Sequence, residues 1–295
     1  MIYDLIFLAK CYSSFAEKNM KKEIYPALWF DDKAKEALEF YTTLFSGSEI
    51  LDVTPVVVSA NIGGLHFIGI NGGPLYLPNP SISFMVVCET IEEVNNLYSK
   101  ITAAGNVLMP LKSYPFSKRY AWVSDQYGVN WQIYLGNIDQ VNHQKIIPTL
   151  MFGYSQQGNC QNALSFYQSI FKNFELRAVQ RYSEGAIQNQ IMHAQFIIND
   201  FIFGAMDSAV SQDFTFNEGV SFVIECENQD EIDYYWETFT HDGTESQCGW
   251  CKDQFGVSWQ IVPKNLNIVL AENPNASAAL QQMKKLVISE LQNAQ

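Results

Sequence analysis

A nine-residue stretch occurs twice in this chain, and it constrains the fold more than any other feature of the sequence. Residues 125–133 read DQYGVNWQI, and residues 253–261 read DQFGVSWQI. Asp-Gln-aromatic-Gly predicts a tight turn, because glycine accepts a positive φ and the aspartate side chain can bond the backbone that follows it. Val-x-Trp-Gln-Ile then predicts a strand with alternating faces. A turn and strand repeated in this way indicate duplicated domains.

Length and charge limit the classes of protein that the chain can belong to. The 295 residues provide enough material for two domains, each with its own core. The formal net charge is -13, from 18 basic and 31 acidic residues. General binding of nucleic acid or of an anionic membrane needs clustered Lys and Arg. The composition therefore predicts neither nucleic acid nor membrane as a partner.

The cysteines and the N-terminus indicate a cytoplasmic protein. Cys248 and Cys251 have CxxC spacing, but they lead into the turn at Asp253 and do not open a helix, so neither redox chemistry nor a zinc site is predicted. No stretch reaches the roughly 18 apolar residues of a spanning helix. Residues 1–19 lack the basic start of a signal peptide, and Met20 offers an alternative start.

Each half of the chain is predicted to contain a strand, a helix and further strands, and to repeat that order once. The last polar stretch predicts one surface helix that packs on the second domain or on a partner, with these apolar residues on one face: Ala279, Leu280, Met283, Leu286, Val287 and Leu291. The predicted boundaries are an N-terminal extension at 1–23, a first domain at 24–136, a linker at 137–145, a second domain at 146–264 and a C-terminal helix at 265–295.

Four such modules in two tandem pairs resemble the vicinal oxygen chelate superfamily, which has the glyoxalase and bleomycin-resistance fold. The details are similar to its PhnB-like, 3-demethylubiquinone-9 3-methyltransferase-like branch over about residues 22–264. Besides the two nine-residue stretches, the resemblance rests on LWFD at 28–31, NGGP at 71–74, MHA at 192–194 and AMDS at 205–208. It implies an α+β fold of two tandem glyoxalase-like domains. Each would be a pair of βαβββ modules that form a curled mixed sheet, a cup, with helices outside.

The resemblance also implies where a metal would bind, on the first, fourth, fifth and last strands of a cup. The residues at these positions are Pro26 and Pro148, Ile70 or Asn71, Ala205 or Met206, Ser81 and Gly219, and Gln132 and Gln260. Neither cup supplies two of the imidazole or carboxylate ligands that a divalent metal needs. No metal or other cofactor is therefore predicted. The metal-dependent reactions of the superfamily, which are isomerisation, thiol addition and ring cleavage, are disfavoured.

The methyltransferase part of the branch label has no support in the sequence, because no glycine-rich nucleotide loop follows a predicted strand. Gln132 and Gln260 alternate with Trp131 and Trp259, so the two residue types point to opposite faces of their strands. The superfamily register implies that the glutamines face the cups. The predicted ligand-binding residues are these two glutamines with Trp29, Ser81, Phe84, Phe152 and Phe222, where the aromatic residues form either the cup wall or the core.

The leading hypothesis is a protein that binds a small apolar or aromatic molecule in a metal-depleted cup. One alternative is a metal-free or unusually ligated enzyme that acts through His193 and Asp207, the candidate catalytic residues. Another is a structural or regulatory protein with vestigial cups. Asp125 and Asp253 are interpreted as structural turn residues. The two domains are expected to pair as an internal pseudo-dimer, and a homodimer is also compatible with the sequence.

Overall fold

The computed structural model describes residues 24–295, and it divides most of them into four βαβββ modules. The predicted N-terminal extension, residues 1–23, lies outside the described residues. The first module contains β1 (Ile24–Phe30), α1 (Ala34–Leu44), β2 (Glu49–Val53), β3 (Val57–Ile62) and β4 (Leu65–Asn71). The second contains β5 (Ile82–Cys88), α2 (Ile91–Thr102), β6 (Asn106–Tyr114), β7 (Ser117–Ser124) and β8 (Asn130–Leu135).

The second half repeats this order after a short 3₁₀ helix, Ile138–Val141, in the predicted linker. The third module contains β9 (Ile146–Phe152), α3 (Cys160–Ile170), β10 (Phe174–Arg181), β11 (Ile191–Ile198) and β12 (Phe201–Asp207). The fourth contains β13 (Val220–Cys226), α4 (Gln229–Thr240), β14 (Thr244–Glu245), β15 (Trp250–Lys252) and β16 (Ser258–Pro263). Three short helices end the chain, α5 (Leu266–Glu272), α6 (Ala276–Gln282) and α7 (Ile288–Gln292).

The strands form two eight-stranded mixed sheets, which confirms the predicted α+β class with tandem units. Sheet A has the order β14-β15-β16-β13-β1-β4-β3-β2, and sheet B has the order β10-β11-β12-β9-β5-β8-β7-β6. Each sheet therefore joins one module from each half, through the antiparallel pairs β1–β13 and β5–β9. This differs from the expectation that each half forms its own sheet. The first strands of all four modules are apolar and largely buried, so they suit the centre of a sheet equally well.

Each sheet has two distinct faces. The helix face packs against α1 to α4 and belongs to one continuous core, in which Trp131 and Trp259 are fully buried. The opposite face is called the open face below. Phe84, Phe152 and Phe222 also belong to this continuous core and have no exposed surface. They are core residues and not the wall of a cup, because alternation along the strand places them on the helix face.

The helices begin at caps of two kinds. Within the second module, the Thr90 hydroxyl accepts a hydrogen bond from the Glu93 N–H at 3.1 Å, and within the fourth, Asn228 accepts one from Glu231 at 3.0 Å. These side chains satisfy backbone donors that have no partner within the helix. The helices of the first and third modules are instead capped from the end of a neighbouring strand, as described below for the candidate site.

The repeated turn is held by a buried aspartate. Asp125 is 2% exposed, and its Oδ2 accepts hydrogen bonds from the Tyr41 hydroxyl and the Trp131 indole N–H, both at 2.8 Å. Its Oδ1 accepts the backbone N–H groups of Tyr127 and Val129 at 2.8 and 3.0 Å. One carboxylate thus connects a helix, a turn and a strand.

The second copy of the turn repeats all four bonds. Asp253 accepts from the Tyr167 hydroxyl at 2.8 Å, from the Trp259 indole at 3.0 Å, and from the N–H groups of Phe255 and Val257 at 2.9 and 3.1 Å. Burial raises the pKa of both aspartates, and these hydrogen bonds oppose that effect. The contacts assign both aspartates a structural role.

The C-terminal segment, residues 265–292, fills part of the open face of sheet A. The predicted single surface helix is instead broken at residues 283–287, where the carbonyl groups of Met283 and Lys284 accept hydrogen bonds from Cys248 and Gly249 at 2.7 and 2.8 Å. The apolar side chains of the segment are buried against the sheet as one cluster of Val269, Leu270, Ala276, Leu280, Leu286 and Leu291 with Tyr25, Ala27, Ile68, Val223 and Val262. Over residues 24–295, no helix combines the length and the hydropathy needed to cross a membrane.

Candidate functional site

The open face of sheet B carries a hydrogen-bonded glutamine beside a tryptophan. Gln132 on β8 lies opposite Trp122 on β7. The Gln132 amide N–H₂ donates to the Ser83 hydroxyl at 2.8 Å, and its oxygen accepts from the Tyr120 hydroxyl at 2.8 Å. Burial raises the pKa of Tyr120, so this hydroxyl stays protonated and available as a donor. The amide is therefore held in one orientation.

Sheet A contains the equivalent set. Gln260 lies opposite Trp250 and donates to the Ser221 hydroxyl at 3.0 Å. Both glutamines point away from the tryptophans that follow the repeated turns, which lie in the core. In both sheets, therefore, glutamine faces the open side and the adjacent tryptophan faces the core. A serine of the neighbouring strand is the partner of each amide.

The set in sheet A has further aromatic rings beside it. Trp29 lies against Gly72, where a β-carbon would come within 2.0 Å of the indole ring. The Trp29 indole N–H donates to the carbonyl of Gly73 at 2.8 Å. Its ring makes edge contacts with Tyr76 and Trp250, at centroid distances of 5.2 and 5.9 Å. Trp29 thus has its polar group satisfied within the chain and is half-buried between these rings and Gly72.

The corresponding place in sheet B is lined by methionine and aromatic side chains. Met151 occupies in β9 the position that Trp29 has in β1. It packs with Tyr120 and Trp122 in a cluster that also includes the partly buried Met109, Tyr114, Tyr134, Met206 and Phe214. This group is called the Trp122 cluster below. Thioether side chains adapt to different shapes, so the cluster can repack around a bound molecule.

Two buried polar atoms on this face have no hydrogen-bond partner within residues 24–295. Trp122 is 8% exposed, and its indole N–H donates to no acceptor. Asn130 is 1% exposed; its amide N–H₂ donates to the Gly128 carbonyl at 2.9 Å, but its Oδ1 accepts from no donor. Buried polar groups without partners are uncommon and each one needs an explanation.

Ser81 lies at the edge of this region. Its carbonyl accepts the backbone N–H of Met151 at 2.7 Å, and the residue is 2% exposed. Alternation with Ser83 places its side chain on the open face of sheet B. Of the residues predicted to bind a ligand, Gln132, Gln260, Trp29 and Ser81 therefore lie on open faces, whereas the three phenylalanines do not.

Trp122 is not among the ligand-binding residues predicted from single motifs, although the sequence contains a signal for it. Trp122 precedes the repeated turn at Asp125 by three residues, as Trp250 precedes Asp253. Extending the alignment of the two nine-residue stretches backward by three positions would have identified this tryptophan pair. Met151 has no comparable signal, because its importance follows from packing.

The two candidate catalytic residues lie on opposite faces of sheet B. The Asp207 carboxylate accepts the backbone N–H groups of Cys160 and Ile191 at 3.1 and 2.9 Å, which caps α3. His193 alternates with the core residue Ala194 and therefore faces the open side. The structure does not bring them together as an acid–base pair.

The cap role of Asp207 has a counterpart in the first module. Asn71 ends β4 as Asp207 ends β12, and its side-chain oxygen accepts the backbone N–H of Ala34, the first residue of α1, at 2.9 Å. An amide and a carboxylate do the same work at equivalent positions. This supports a structural role for Asp207.

The donor set at the cup positions does not fit a divalent metal ion. The Gln132 oxygen accepts from Tyr120, and the Asn71 oxygen accepts from Ala34. Over the described residues 24–295, no three His, Cys, Asp or Glu side chains converge as ligands would. Divalent transition metals require imidazole or carboxylate donors, which these positions lack.

His66 predicts a dependence of stability on pH. It lies on the open face of sheet A, with Nε2 2.8 Å from the Ser59 hydroxyl and its ring 4.2 Å from that of Tyr25. Burial lowers its pKa to about 4. Between pH 6.5 and 4 the unfolded chain binds the proton and the folded chain does not, so the His66 contribution to the free energy of unfolding should fall by about 2–3 kcal/mol as pH falls across this range. The raised pKa values of Asp125 and Asp253 act in the opposite direction.

Urea denaturation at a series of pH values would measure this dependence, and His66→Gln should remove most of it. Burial also lowers the pKa of His193, which adds a contribution of the same sign that remains in the variant. His143→Gln is the matched control, because it makes the same change at a side chain that is 74% exposed. An unaltered profile in His66→Gln would show that the His66 imidazole does not cause the effect.

Comparison with known proteins agrees with the duplication seen in the fold. The model of the family described as 3-demethylubiquinone-9 3-methyltransferase matches the chain twice, at residues 22–134 and 144–262. No functionally curated protein matches the chain. The PhnB protein from Bacillus cereus is 36% identical over 39% of this chain and 100% of its own, with a TM-score of 0.38.

A second solved structure covers most of both chains. A mutant of glyoxalase I from Zea mays is 11% identical over 84% of this chain and 94% of its own, with a TM-score of 0.56. A protein from Staphylococcus aureus is 28% identical over 39% of this chain and 97% of its own, with a TM-score of 0.19. At 11% identity, the likeness to glyoxalase I concerns the fold alone.

Proposed function

We propose a function for this chain, which belongs to the 3-demethylubiquinone-9 3-methyltransferase family, a branch of the vicinal oxygen chelate superfamily. It matches the family model twice, once in each half. The proposed function is the binding of one small apolar or aromatic molecule per chain, on the open face of sheet B. The molecule would insert among the side chains of the Trp122 cluster. Gln132 would border it as an oriented amide.

The observation that carries this proposal is the unpaired indole N–H of Trp122. The side chain is 8% exposed, and the indole donates no hydrogen bond within residues 24–295. Leaving a buried donor unpaired costs about 1–3 kcal/mol. A bound molecule with an acceptor at this point would recover that free energy. A ligand that accepts a hydrogen bond from the Trp122 indole would therefore explain why this donor has no partner within the chain.

The lining of the site also supports binding. Small-molecule sites combine mostly apolar and aromatic walls with a few oriented polar groups. The Trp122 cluster supplies aromatic rings and thioethers, and the Ser83–Gln132–Tyr120 chain supplies fixed polar groups beside it. Phe214 lies in the segment between β12 and β13, so movement of that segment would admit the molecule.

Sheet A is not proposed to bind the same ligand. Its open face is covered in part by the C-terminal segment, and Trp29 lies beside Trp250 with its own N–H satisfied. This asymmetry supports one ligand per chain although the two halves share the Trp–Gln–Ser arrangement. The alternative of an enzyme acting through His193 and Asp207 has no comparable support, because Asp207 is committed to capping α3.

Replacement of the two tryptophans tests the proposal. N-phenyl-1-naphthylamine, a neutral fluorescent aromatic probe, should bind the wild-type protein with a stoichiometry of one per chain. Native mass spectrometry of the purified protein should detect any co-purified molecule at the same stoichiometry. Trp122→Phe should weaken binding of a co-purified ligand that accepts a hydrogen bond by about tenfold, because the donor is lost while the ring volume is mostly kept.

Trp250→Phe is the matched control, since it makes the same change at the equivalent position of sheet A and should leave binding unchanged. Equal losses in both variants would contradict the assignment to sheet B. Absence of probe binding and of any co-purified molecule would contradict the binding function itself.

A further inference from the structure

The polar atoms left unpaired on the open face of sheet B form a donor and an acceptor. Trp122 Nε1–H can only donate, and Asn130 Oδ1 can only accept. The Asn130 amide is oriented by its hydrogen bond to the Gly128 carbonyl at 2.9 Å, which directs the N–H₂ group to the turn and leaves the oxygen free. A ligand that satisfies both residues must itself carry one acceptor and one donor.

The two residues are close enough for one small molecule to reach both. Trp122 lies opposite Gln132, and Ser124 lies opposite Asn130, in the antiparallel pair β7–β8. Trp122 and Asn130 are therefore diagonal neighbours on one face, a relation that corresponds to about 7–8 Å between α-carbons. One small molecule that presents an acceptor to Trp122 and a donor to Asn130 must therefore span two neighbouring strands on one face.

Charge limits the ligand further. None of the side chains in the Trp122 cluster is ionised at neutral pH. Lys112 borders the cluster, with its Nζ 5.1 Å from the centroid of the partly buried Tyr114 ring. An unpaired charge is costly to bury, so an anionic ligand would lose more solvation than this site returns. Carboxylates, phosphates and phosphonates are therefore disfavoured.

We infer that the site recognises a neutral planar molecule in which a carbonyl and an N–H group lie side by side on an aromatic frame, as in a ring-fused cyclic amide. The carbonyl oxygen accepts from Trp122 Nε1, and the N–H donates to Asn130 Oδ1. The aromatic frame contacts Met151, Met206 and Phe214. This inference rests on the proposed binding function and assigns the chemical class of its ligand.

Three matched probes test the ligand class with the full-length protein. Quinolin-2(1H)-one has both polar groups, its N-methyl derivative keeps only the acceptor, and naphthalene has neither. Displacement of N-phenyl-1-naphthylamine measures the affinity of each. Quinolin-2(1H)-one should bind at least about tenfold more tightly than its N-methyl derivative, and naphthalene should bind most weakly of the three.

Two variants assign the contacts. Trp122→Phe should weaken quinolin-2(1H)-one and its N-methyl derivative by about tenfold each and leave naphthalene unchanged. Asn130→Ser should weaken quinolin-2(1H)-one alone by a similar factor. Serine stands at the equivalent position of the other half, Ser258, so this substitution matches a residue that the same strand environment accommodates. Circular dichroism and the midpoint of urea denaturation should confirm that both variants are folded.

The outcomes separate the ligand class from the binding function. Equal affinities for the three probes, with no effect of either variant, would overturn the ligand class and leave a site for apolar molecules. Tighter binding of a carboxylate such as 2-naphthoate than of quinolin-2(1H)-one would overturn the neutral charge of the ligand. Failure of the fluorescent probe and of all three compounds to bind the wild-type protein would overturn both proposals.

Discussion

Replacement of Asp253 by alanine is expected to lower the free energy of unfolding by about 4 kcal/mol. The carboxylate accepts four hydrogen bonds, two from the side chains of Tyr167 and Trp259 and two from the turn backbone. Alanine leaves these buried donors without partners and opens a cavity between a helix and a strand. Urea denaturation followed by circular dichroism measures the loss.

The first half provides an internal repeat of this experiment. Asp125→Ala removes the same four bonds and should cost a similar free energy. Asp242 is the control, because its side chain is 68% exposed and its single ion pair is with the adjacent His241. Asp242→Ala should change stability by less than about 0.5 kcal/mol. If the Asp253 and Asp242 variants lost equal stability, the carboxylate would not hold the turn.

Replacement of Leu286 by alanine is expected to cost about 3 kcal/mol. Leu286 has no exposed surface, and its side chain lies in the cluster between the C-terminal segment and the open face of sheet A. Removing three carbon atoms from a site that cannot close around the gap loses both burial and packing. Chemical denaturation measures the change, and the transition should stay cooperative, since this cluster spans both halves of the chain.

Ile268 in the same segment is the matched control. It is 49% exposed, so Ile268→Ala should change stability by less than about 0.5 kcal/mol. A small effect at both positions would mean that the segment contributes little to folding. That result would also weaken the argument that sheet A is closed to ligand, and N-phenyl-1-naphthylamine should then bind with a stoichiometry above one.

The two sheets differ in what covers their open faces, not in the frame beneath. Trp–Gln–Ser occurs in both sheets with the same register. In sheet A, the position equivalent to Met151 carries Trp29, which packs on Gly72 and satisfies its own N–H. Trp29 therefore occupies part of the open face of sheet A, and the C-terminal segment covers a further part of it, whereas Met151 belongs to the Trp122 cluster on sheet B.

Much of the framework follows from local patterns in the sequence. The repeated turn predicts its own aspartate–backbone bonds, because these join residues two and four positions apart. Alternation along the last strand separates Gln132 from Trp131, since side chains on a strand have a period of two. The assignment of Phe84, Phe152 and Phe222 to wall or core needed the structure, because alternation does not reveal which face the helices cover.

The predicted C-terminal helix shows where local patterning misleads. The apolar residues of 276–291 recur at helical spacing, yet residues 283–287 are not helical, and the carbonyl groups of Met283 and Lys284 accept from Cys248 and Gly249 instead. Those partners lie more than 30 positions away in sequence. A helix of this length is marginal in water by itself, so long-range bonds and burial can override its propensity.

The repeated stretch by itself determined the duplication, the turns, the strands behind them and the opposite orientations of tryptophan and glutamine. These properties depend on neighbouring residues and on the geometry of the strand. Only the tertiary structure decided which modules share a sheet, because the four first strands are similarly apolar and suit any of the pairings. It also decided that the C-terminal segment covers one open face and leaves Trp122 unpaired on the other, since both depend on contacts between residues far apart in the chain.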